Sequence, residues 1–227
     1  MRRLVLKMSM SLDGYVGGPD GEVDWIMRTL DAEATAWVEE TLWQAGAHLV
    51  GRRTYADMVA YWPTSTEPLA PPMNAIPKIV FSRSGSLVSE PTTALRNATE
   101  AQREAGSPLS ADAANWDDTQ TLSGELGPGI TALKAEPGKD LLAHGGTSFA
   151  QSLVRLGLVD EYRLLLHPVV LGAGLALFEG AMPFDLNLVE EARFAGGVSA
   201  LVYHPIRRAL GDSLSMRAQK SVVNLPR

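Results

Sequence analysis

The pattern of apolar and polar positions changes its period along the chain. Over the first two thirds, short apolar runs typical of buried strands alternate with segments in which apolar residues recur at helical spacing. Over the last third, apolar runs follow one another through glycine-containing turns, which is typical of hairpins. This order predicts an α/β fold with a mixed, mostly parallel sheet flanked by helices and an antiparallel C-terminal hairpin.

The bounds of the predicted elements follow from the Gly, Pro, Ser and Asn residues that interrupt these patterns. Strands are predicted at 3–10, 47–50, 77–82, 115–124, 159–167, 175–179, 187–195 and 198–205. Helices are predicted at 30–44, 52–60 and 129–135, with a loop at 11–24 and a strand–turn–helix unit at 139–156.

The length and composition predict one domain. A chain of 227 residues with 45% hydrophobic content can bury a full core, which we expect to span residues 1–206. Residues 84–114 are rich in Ser, Thr, Ala, Pro and Glu, and only 93–104 has the pattern of a short helix. Since a structureless loop of this length is uncommon inside a compact domain, we expect a surface insertion there. Residues 207–227 form a polar C-terminal tail.

Charge and cysteine content exclude several classes of function. The net charge of −6 argues against a nucleic-acid surface. With no cysteine, the chain has no disulfide, no thiol nucleophile and no cysteine-based metal site, and the spacing of His48, His167 and His204 predicts no metal site either. No apolar run approaches the roughly 18 to 20 residues that span a bilayer, and the N-terminus is too polar for a signal peptide, so we expect a cytoplasmic protein without membrane contact.

A diglycine separates a strand from a helix in the segment LLAHGGTSFAQSLV. Gly145 and Gly146 let the backbone approach a ligand closely, and the helix start at Thr147 and Ser148 offers N–H groups to an anion such as a pyrophosphate. For an isolated Gly-Gly, a tight turn with a Ser/Thr cap is an equally good interpretation.

A second strand-to-helix junction carries cations. In VGRRTY, Arg52, Arg53 and Thr54 follow Gly51 at the start of a predicted helix. Since cations are unfavourable at the positive end of a helix dipole, their position indicates an anion, with a solvated helix start as the alternative.

Two further segments favour a ligand site at the same edge of the sheet. In KIVFSRS, Ser82 and Arg83 follow the carboxyl end of a buried strand, where open α/β sheets bind ligands. In SLDGYVGG, a strand enters a glycine-rich loop that carries Asp13 and is suited to act as a lid.

Taken in order, these segments resemble the dihydrofolate reductase-like superfamily, and most closely the reductase domain at the C-terminus of the bifunctional riboflavin-biosynthesis deaminase-reductase. The phrases that carry the resemblance are SLDGYVGG, VGRRTY, KIVFS, LLAHGGTSFAQSL, GLVDEY and HPVVLGAGLALF. The resemblance implies a dihydrofolate reductase-like fold that binds NADPH in extended form without a GxGxxG phosphate loop. No GxGxxG occurs in the sequence.

The resemblance also implies which residues bind each part of NADPH. Arg52, the residue after Gly51, would meet the 2′-phosphate together with Arg83, and two guanidiniums facing one phosphate make chemical sense because each can bond it bidentately. Gly51 and Arg53 are further cofactor candidates at the same junction. The other implied cofactor residues are Thr54, Gly145, Gly146, Thr147 and Ser148 for the pyrophosphate, Phe81, Ser82 and Arg83 for the adenosine end, and Ser9, Val16 and Gly17 for the nicotinamide end.

The substrate side offers acidic residues and one histidine as catalytic candidates. Folate-reducing members place a carboxylate in the first turn of the helix after the lid, which here offers Asp31 and Glu33. That helix has no Lys or Arg, so it is a poor cradle for the ribose phosphate of the riboflavin intermediate. His144 stands where riboflavin-pathway reductases typically present a glutamate. It is able to exchange a proton near pH 7, with a structural role as the alternative. Asp13 is either a ligand or half of an Asp-Gly turn.

These features predict hydride transfer from NADPH to a C=N or C=O bond of a small cyclic, pterin- or pyrimidine-like substrate. The cofactor would supply the chemistry, and the protein orientation and electrostatics. The alternative is a catalytically silent NADPH-binding sensor or scaffold, because a fold alone does not fix function.

A homodimer is also expected. Residues 159–167 and 198–205 are apolar at most positions, and exposed strand edges are usually covered by a twofold partner. The resembling reductases tend to be dimeric. The alternative is a monomer in which the tail from residue 207 covers the same surface.

Overall fold

The computed structural model of the chain describes residues 1–82, 116 and 119–206. The predicted insertion at 84–114 with its short helix, the cofactor candidate Arg83 and the tail at 207–227 lie outside the described residues. The division into one domain and a tail therefore stays a prediction.

Eight strands of the described residues form one twisted sheet in the order β5-β4-β3-β6-β1-β7-β10-β9. The strands from β5 to β7 are parallel neighbours, whereas β10 runs antiparallel to both β7 and β9. A two-residue and a three-residue strand, β8 and β2, pair antiparallel beside this sheet. The bounds are β1 Leu4–Ser11, β2 Tyr15–Gly17, β3 Ala47–Gly51, β4 Lys78–Phe81, β5 Gln120–Leu122, β6 Leu141–His144, β7 Glu161–His167, β8 Leu175–Ala176, β9 Asp185–Arg193 and β10 Ser199–Ile206.

Helices cover both faces of the sheet. They are α1 Asp24–Met27, α2 Ala32–Trp43, α3 Arg52–Tyr61, α4 Ala70–Ala75, α5 Leu126–Ala135 and α6 Thr147–Arg155, with a 3₁₀ turn at Trp62–Thr64. The predicted fold class, a mostly parallel mixed sheet with helices and an antiparallel C-terminal hairpin, is confirmed.

Some predicted bounds differ from the observed elements for local reasons. Helix α5 begins three residues before the predicted 129, because Pro128 falls in its first turn, where proline costs no hydrogen bond. The same tolerance explains α4, which the sequence did not predict and which carries proline at its start. Of the strand predicted at 115–124, the described residues are 116 and 119–124, and of these only the three residues of β5 form strand.

The two faces of the sheet carry separate cores. On one face, Leu6 and Leu141 pack with side chains of α5 and α6, including Leu153. On the other face, Val5 and Leu142 pack with α2 and α3. Because side chains alternate along a strand, residues two positions beyond Val5 and Leu142 also face α2 and α3.

The parallel arrangement positions the candidate site. Strands β3 and β6 are neighbours in the sheet, so the helices that follow them, α3 and α6, begin side by side at the same edge. Ligands in open α/β sheets gather at this carboxyl edge.

Candidate functional site

The diglycine after β6 has a backbone conformation that favours glycine. Gly145 and Gly146 have φ values of +71° and +70°, and Gly146 precedes the first residue of α6. No side chain caps the start of α6. The first N–H groups of this helix are therefore left for another acceptor.

Contacts across the two strand-to-helix junctions are close. A Cβ atom on Gly146 would lie 2.5 Å from Thr54 Oγ1, and one on Gly145 would lie 3.2 Å from Met58 Cε. A Cβ on Gly51 would lie 3.3 Å from Cβ of Phe149 in α6. The glycines thus allow α3 and α6 to begin in contact with each other, which places two positive helix ends together.

The start of α3 adds cations to this edge. Gly51 provides no side-chain cap, and Arg52 and Arg53 in the first turn are exposed. Within the described residues neither guanidinium makes a hydrogen bond or an ion pair. An anion is the partner that helix ends and guanidiniums share.

An aromatic pair lies beside the junctions. Phe81 at the end of β4 stacks on Phe149 with ring centroids 5.5 Å apart. Ser82, the next residue, is buried and its N–H donates to the Leu122 carbonyl oxygen. The structure thus brings Phe81 and Ser82 to the same edge as the diglycine, as the sequence predicts.

The predicted nicotinamide residues lie where β1 enters the lid. Ser9 and Val16 are buried, and Val16 and Gly17 belong to β2, which pairs with β8. The lid is thus held against the β7–β8 connection rather than free at this end.

The carboxylate of Asp13 anchors the lid. It accepts hydrogen bonds from the Ser11 hydroxyl at 2.6 Å and from the N–H groups of Gly172 and Leu171 at 2.8 and 3.2 Å. The Ser11 bond, followed by the backbone bonds, lowers the pKa of Asp13. A catalytic role for this carboxylate stays a prediction.

Asp31 is engaged in a similar way. Its side chain caps α2 by accepting from the Ala34 N–H at 2.8 Å, and it accepts from the Gly196 N–H at 2.6 Å in the β9–β10 turn. These two bonds lower its pKa. Glu33 lies exposed in the first turn of the same helix. The catalytic roles predicted for both residues are untested.

Lys7 and His144 are polar residues on the face of the sheet that packs against α2 and α3. They lie opposite each other in the β1–β6 register, two positions beyond Val5 and Leu142. Burial lowers the pKa of Lys7 to about 8, and within the described residues its ammonium makes no hydrogen bond or ion pair. Burial, followed by the charges of Lys7 and Lys78, lowers the pKa of His144 to about 3. The imidazole is therefore neutral at pH 7 and does not titrate near it.

A second imidazole is in contact with that of His144. The ring of His48 in β3 meets it edge-on with centroids 4.6 Å apart. Both ring nitrogens of His48 and Nε2 of His144 are buried without a hydrogen-bond partner. Opposite His48 in the register, the ammonium of Lys78 donates to the Asn74 carbonyl oxygen.

His167, at the end of β7, contacts α1 and the residues that follow it. Its Nδ1 lies 2.7 Å from Thr29 Oγ1, and the Thr29 hydroxyl donates to the Ile26 carbonyl oxygen at 3.3 Å. The Trp25 ring meets the imidazole edge-on at 5.2 Å. Burial, with a smaller effect of Lys7, lowers the pKa of His167 to about 4.

Sequence reasoning missed Lys7 and His167 as parts of this site. A signal for Lys7 is present: it is a lone charge within the buried run LVLKMSMS, where a cation is rare unless it is paired or functional. Its position beside His144 depends on strand register, which no local pattern reveals.

Among the described residues, no group of three or more His, Cys, Asp or Glu residues is arranged to hold a metal ion.

Among the same residues, none of the helices has the length and apolar content needed to cross a bilayer.

Comparison with known proteins assigns the chain to a family. The model of the RibD C-terminal domain matches residues 2–199. The uncharacterized protein YyaP of Bacillus subtilis is 30% identical over 211 residues, which cover 89% of this chain and 95% of YyaP. The uncharacterized protein YwjB of the same organism is 25% identical over 178 residues, covering 78% and 83% of the two chains.

Solved structures share the fold. A Shewanella sp. PV-4 protein named for riboflavin biosynthesis matches with a TM-score of 0.65 and 21% identity, over 90% of this chain and 99% of its own. The Thermotoga maritima diaminohydroxyphosphoribosylaminopyrimidine deaminase/5-amino-6-(5-phosphoribosylamino)uracil reductase matches with a TM-score of 0.62 and 17% identity, over 90% of this chain and 57% of that protein. Together with the sequence match over residues 2–199, these structures agree with the predicted resemblance. The chain belongs to the RibD C-terminal domain family.

Proposed function

We propose that the protein is an NADPH-dependent reductase that transfers hydride to a C=N or C=O bond of a small cyclic substrate. The observation that carries the proposal is that the uncapped starts of α3 and α6 lie in contact with each other, beside two exposed arginines. Glycines at both junctions allow this close approach. Membership of the RibD C-terminal domain family supports oxidoreductase chemistry.

The residues present fit NADPH. A Cβ on Gly146 would lie 2.5 Å from Thr54 Oγ1, so glycine is what lets the uncapped start of α6 lie against Thr54. Backbone N–H groups from Gly145 to Ser148 would hold the pyrophosphate, and Arg52 and Arg53 the 2′-phosphate. Ser9 on β1 would bind the carboxamide. The bound cofactor would supply the hydride.

Lys7 is the group best suited to hold a proton for the reaction. With a pKa of about 8, its ammonium is mostly protonated at pH 7 yet is a stronger acid than an ordinary lysine. It would donate to the nitrogen or oxygen of the bond being reduced and would regain a proton from water. His144, neutral at this pH, would orient the substrate by a hydrogen bond at Nδ1.

The lid would exclude water from this step. Asp13 and the β2–β8 pairing fix the lid to the β7–β8 connection, and Trp25 in α1 and Thr29 after it contact His167. A dry site strengthens the electrostatic effect of Lys7 on the substrate.

One observation favours a catalytically silent NADPH-binding sensor as a second candidate. Asp13 and Asp31, the carboxylates that would be the expected proton donors, both accept hydrogen bonds from backbone amides. A sensor would bind NADPH without turnover.

A spectrophotometric assay of NADPH oxidation with a panel of pterin, pyrimidine and carbonyl compounds tests the proposal. We expect at least one ring compound to be reduced, and Lys7→Met to abolish its turnover while NADPH still binds. Tight NADPH binding without oxidation by any member of the panel would favour the sensor. Absence of NADPH binding would reject both candidates.

A further inference from the structure

One side chain of α6 links this helix to the strand that pairs with the lid. Gln151 lies in the second turn of α6, and its Nε2 donates to the Ala176 carbonyl oxygen of β8 at 2.8 Å. The same Nε2 lies 3.3 Å from a carboxylate oxygen of Glu179. Because both partners are acceptors, the amide must present its NH₂ group to them, which fixes its orientation.

Strands β2 and β8 are too small to hold their position alone. They are three and two residues long, and their register is irregular. An isolated pair of strands is marginally stable in water, even when the strands are longer than these. The position of the pair therefore depends on the contacts that attach it to the rest of the fold.

Two polar attachments act on this pair. Asp13, before β2, accepts from the N–H groups of Leu171 and Gly172, before β8, and so joins the lid to the β7–β8 connection. Gln151 joins β8 to α6. Val16 of β2 is buried in the same core cluster as residues of α6, but apolar contact has no preferred direction. The hydrogen bond of Gln151 is therefore the contact that fixes β8 at one place along α6.

The lid and the β7–β8 connection are in such close contact that one cannot shift without the other. A Cβ on Gly174 would overlap the Gly17 carbonyl oxygen, and it would lie 3.2 Å from Tyr15 Cβ. A displacement of β8 is therefore passed on to β2.

We propose that Gln151 is a positioning residue that couples the two ends of the cofactor site. One end is the start of α6 at the diglycine, and the other is β2, where Val16 and Gly17 would meet the nicotinamide. A ligand that orders α6 from its phosphate end also steadies the lid through Gln151 and β8, without touching the lid. By linkage, a lid held in this way favours the ligand at α6. This inference rests on the proposed reductase function, because the ligand is the cofactor of the same site.

Hydrogen–deuterium exchange, read by mass spectrometry of peptides that cover β2 and β8, measures the stability of the lid. The probe is ADP-ribose 2′-phosphate, which has the phosphates of NADPH but no nicotinamide ring and so reaches only the phosphate end. NADPH is the second ligand. Calorimetry gives the bound fraction for each variant, so that exchange is compared at equal saturation.

Two variants of Gln151 and one control separate the coupling from a general effect on α6. Gln151→Met keeps the length of the side chain and removes the donor, whereas Gln151→Glu keeps the shape and turns a carboxylate toward two acceptors. Ser152→Ala is the matched control, because Ser152 is half-buried like its neighbour. Its hydroxyl donates to the Ser148 carbonyl oxygen within α6 and, among the described residues, makes no bond to β8.

Without ligand, we expect exchange in β2 and β8 to be about three- to tenfold faster in Gln151→Met than in the wild type, the ratio that one net hydrogen bond gives to a local opening equilibrium. Gln151→Glu should exchange faster still, because its carboxylate lies beside Glu179, and Ser152→Ala should match the wild type. ADP-ribose 2′-phosphate should slow the exchange in the wild type and the control. In both Gln151 variants it should bind without slowing the exchange of the lid.

Equal exchange of the free wild type and free Gln151→Met would overturn the attachment of the lid to α6. A probe that fails to protect the wild-type lid, or that protects Gln151→Met as well as the wild type, would overturn the coupling. If neither the probe nor NADPH binds the wild type, the reductase function is rejected and the coupling with it. Faster exchange in free Gln151→Met would in that case still support the attachment.

Discussion

Histidine side chains in this protein are buried where most proteins would place apolar residues. His48, His144 and His167 each have at least one enclosed ring nitrogen without a partner. Each such nitrogen costs free energy on folding, on the order of 1–3 kcal/mol for an unsatisfied buried group. Lys7, on the same face of the sheet, adds a charge that makes no ion pair within the described residues. Such a concentration of unfavourable groups is typical of functional sites.

Acid should destabilise the protein through these histidines. In the unfolded chain their pKa is near 6.5, whereas in the folded protein that of His144 is about 3 and that of His167 about 4. Between these values the unfolded chain binds more protons, so stability falls as pH drops from about 6.5 to about 4. Each histidine contributes about 1.4 kcal/mol per pH unit.

Urea denaturation at a series of pH values between neutrality and the acid limit measures this slope. His144→Gln should reduce the slope by about one proton. Identical slopes for the variant and the wild type would show that His144 is not buried in its neutral form.

Lys7 predicts a dependence of the same sign on the alkaline side. Burial lowers its pKa from 10.5 to about 8, so the unfolded chain binds more protons between these values, and stability rises with pH across that window. Lys7→Met removes this penalty and should raise the free energy of unfolding at pH 7 by up to about 3 kcal/mol.

The gain from Lys7→Met should shrink as the pH is raised above about 8. Lys139→Met, at an exposed position, should change the stability little at any pH. A Lys7→Met protein less stable than the wild type at neutral pH would contradict the assignment.

At the scale of elements, the strand-to-helix junctions before α3 and α6 are where we expect NADPH to bind. Gly146→Ala forces an L residue into φ +70° and brings its Cβ to 2.5 Å from Thr54 Oγ1. We expect a loss of about 1–3 kcal/mol of stability from strain in a protein that still folds. NADPH affinity should fall about tenfold or more, because the backbone N–H groups move.

Gly157→Ala provides the matched control. Gly157 follows α6 with φ +63°, and a Cβ there would meet nothing within 4 Å. It shares the strain but not the contact, so its NADPH affinity should equal that of the wild type. Equal affinities of the Gly146 and Gly157 variants, measured by titration, would indicate an ordinary turn at the diglycine.

The elements differ in how far the sequence predicts them. Helix α2 and strand β3 have long or uninterrupted apolar patterns, and their observed bounds lie within two residues of the predicted ones. Strand β2, three residues long, is too short for a period to emerge and falls in the loop predicted at 11–24, whereas the strand predicted at 175–179 is present but shortened to the two residues of β8. Their pairing is a tertiary contact that no local pattern reveals.

The candidate site divides in the same way. The glycines and hydroxyls of the junctions are predictable, because backbone conformation and helix starts leave local signals. The surroundings of Asp31 and Lys7 are not predictable from local sequence. Those of Asp31 depend on a contact with Gly196, and those of Lys7 depend on strand register.

At the scale of the whole molecule, one edge of the sheet favours a second copy of the chain. Strand β9 is the outermost strand of the described sheet, and Leu188 and Val189 on it are 44% and 46% exposed. Such edges are usually paired or covered, and a twofold partner is the commonest solution. We therefore propose a homodimer.

Light scattering at micromolar concentration tests the dimer. We expect a mass near twice the 24.4 kDa of the chain, and a mass near 24.4 kDa for Leu188→Lys. Val170→Lys introduces the same charge at an exposed apolar position outside β9 and should leave the dimer intact. A wild-type mass near 24.4 kDa would reject the proposal.

The central claim is that the junctions of α3 and α6 bind NADPH through its phosphates. Calorimetric titration of the wild type, Arg52→Gln and the control Arg193→Gln with NADPH and NADH tests it most directly. We expect the wild type and the control to prefer NADPH. Arg52→Gln should lose about 1.5–3 kcal/mol of NADPH affinity, typical of a hydrogen bond to a charged group, and keep its NADH affinity. Absence of binding, or equal weakening of both dinucleotides in Arg52→Gln, would contradict the claim.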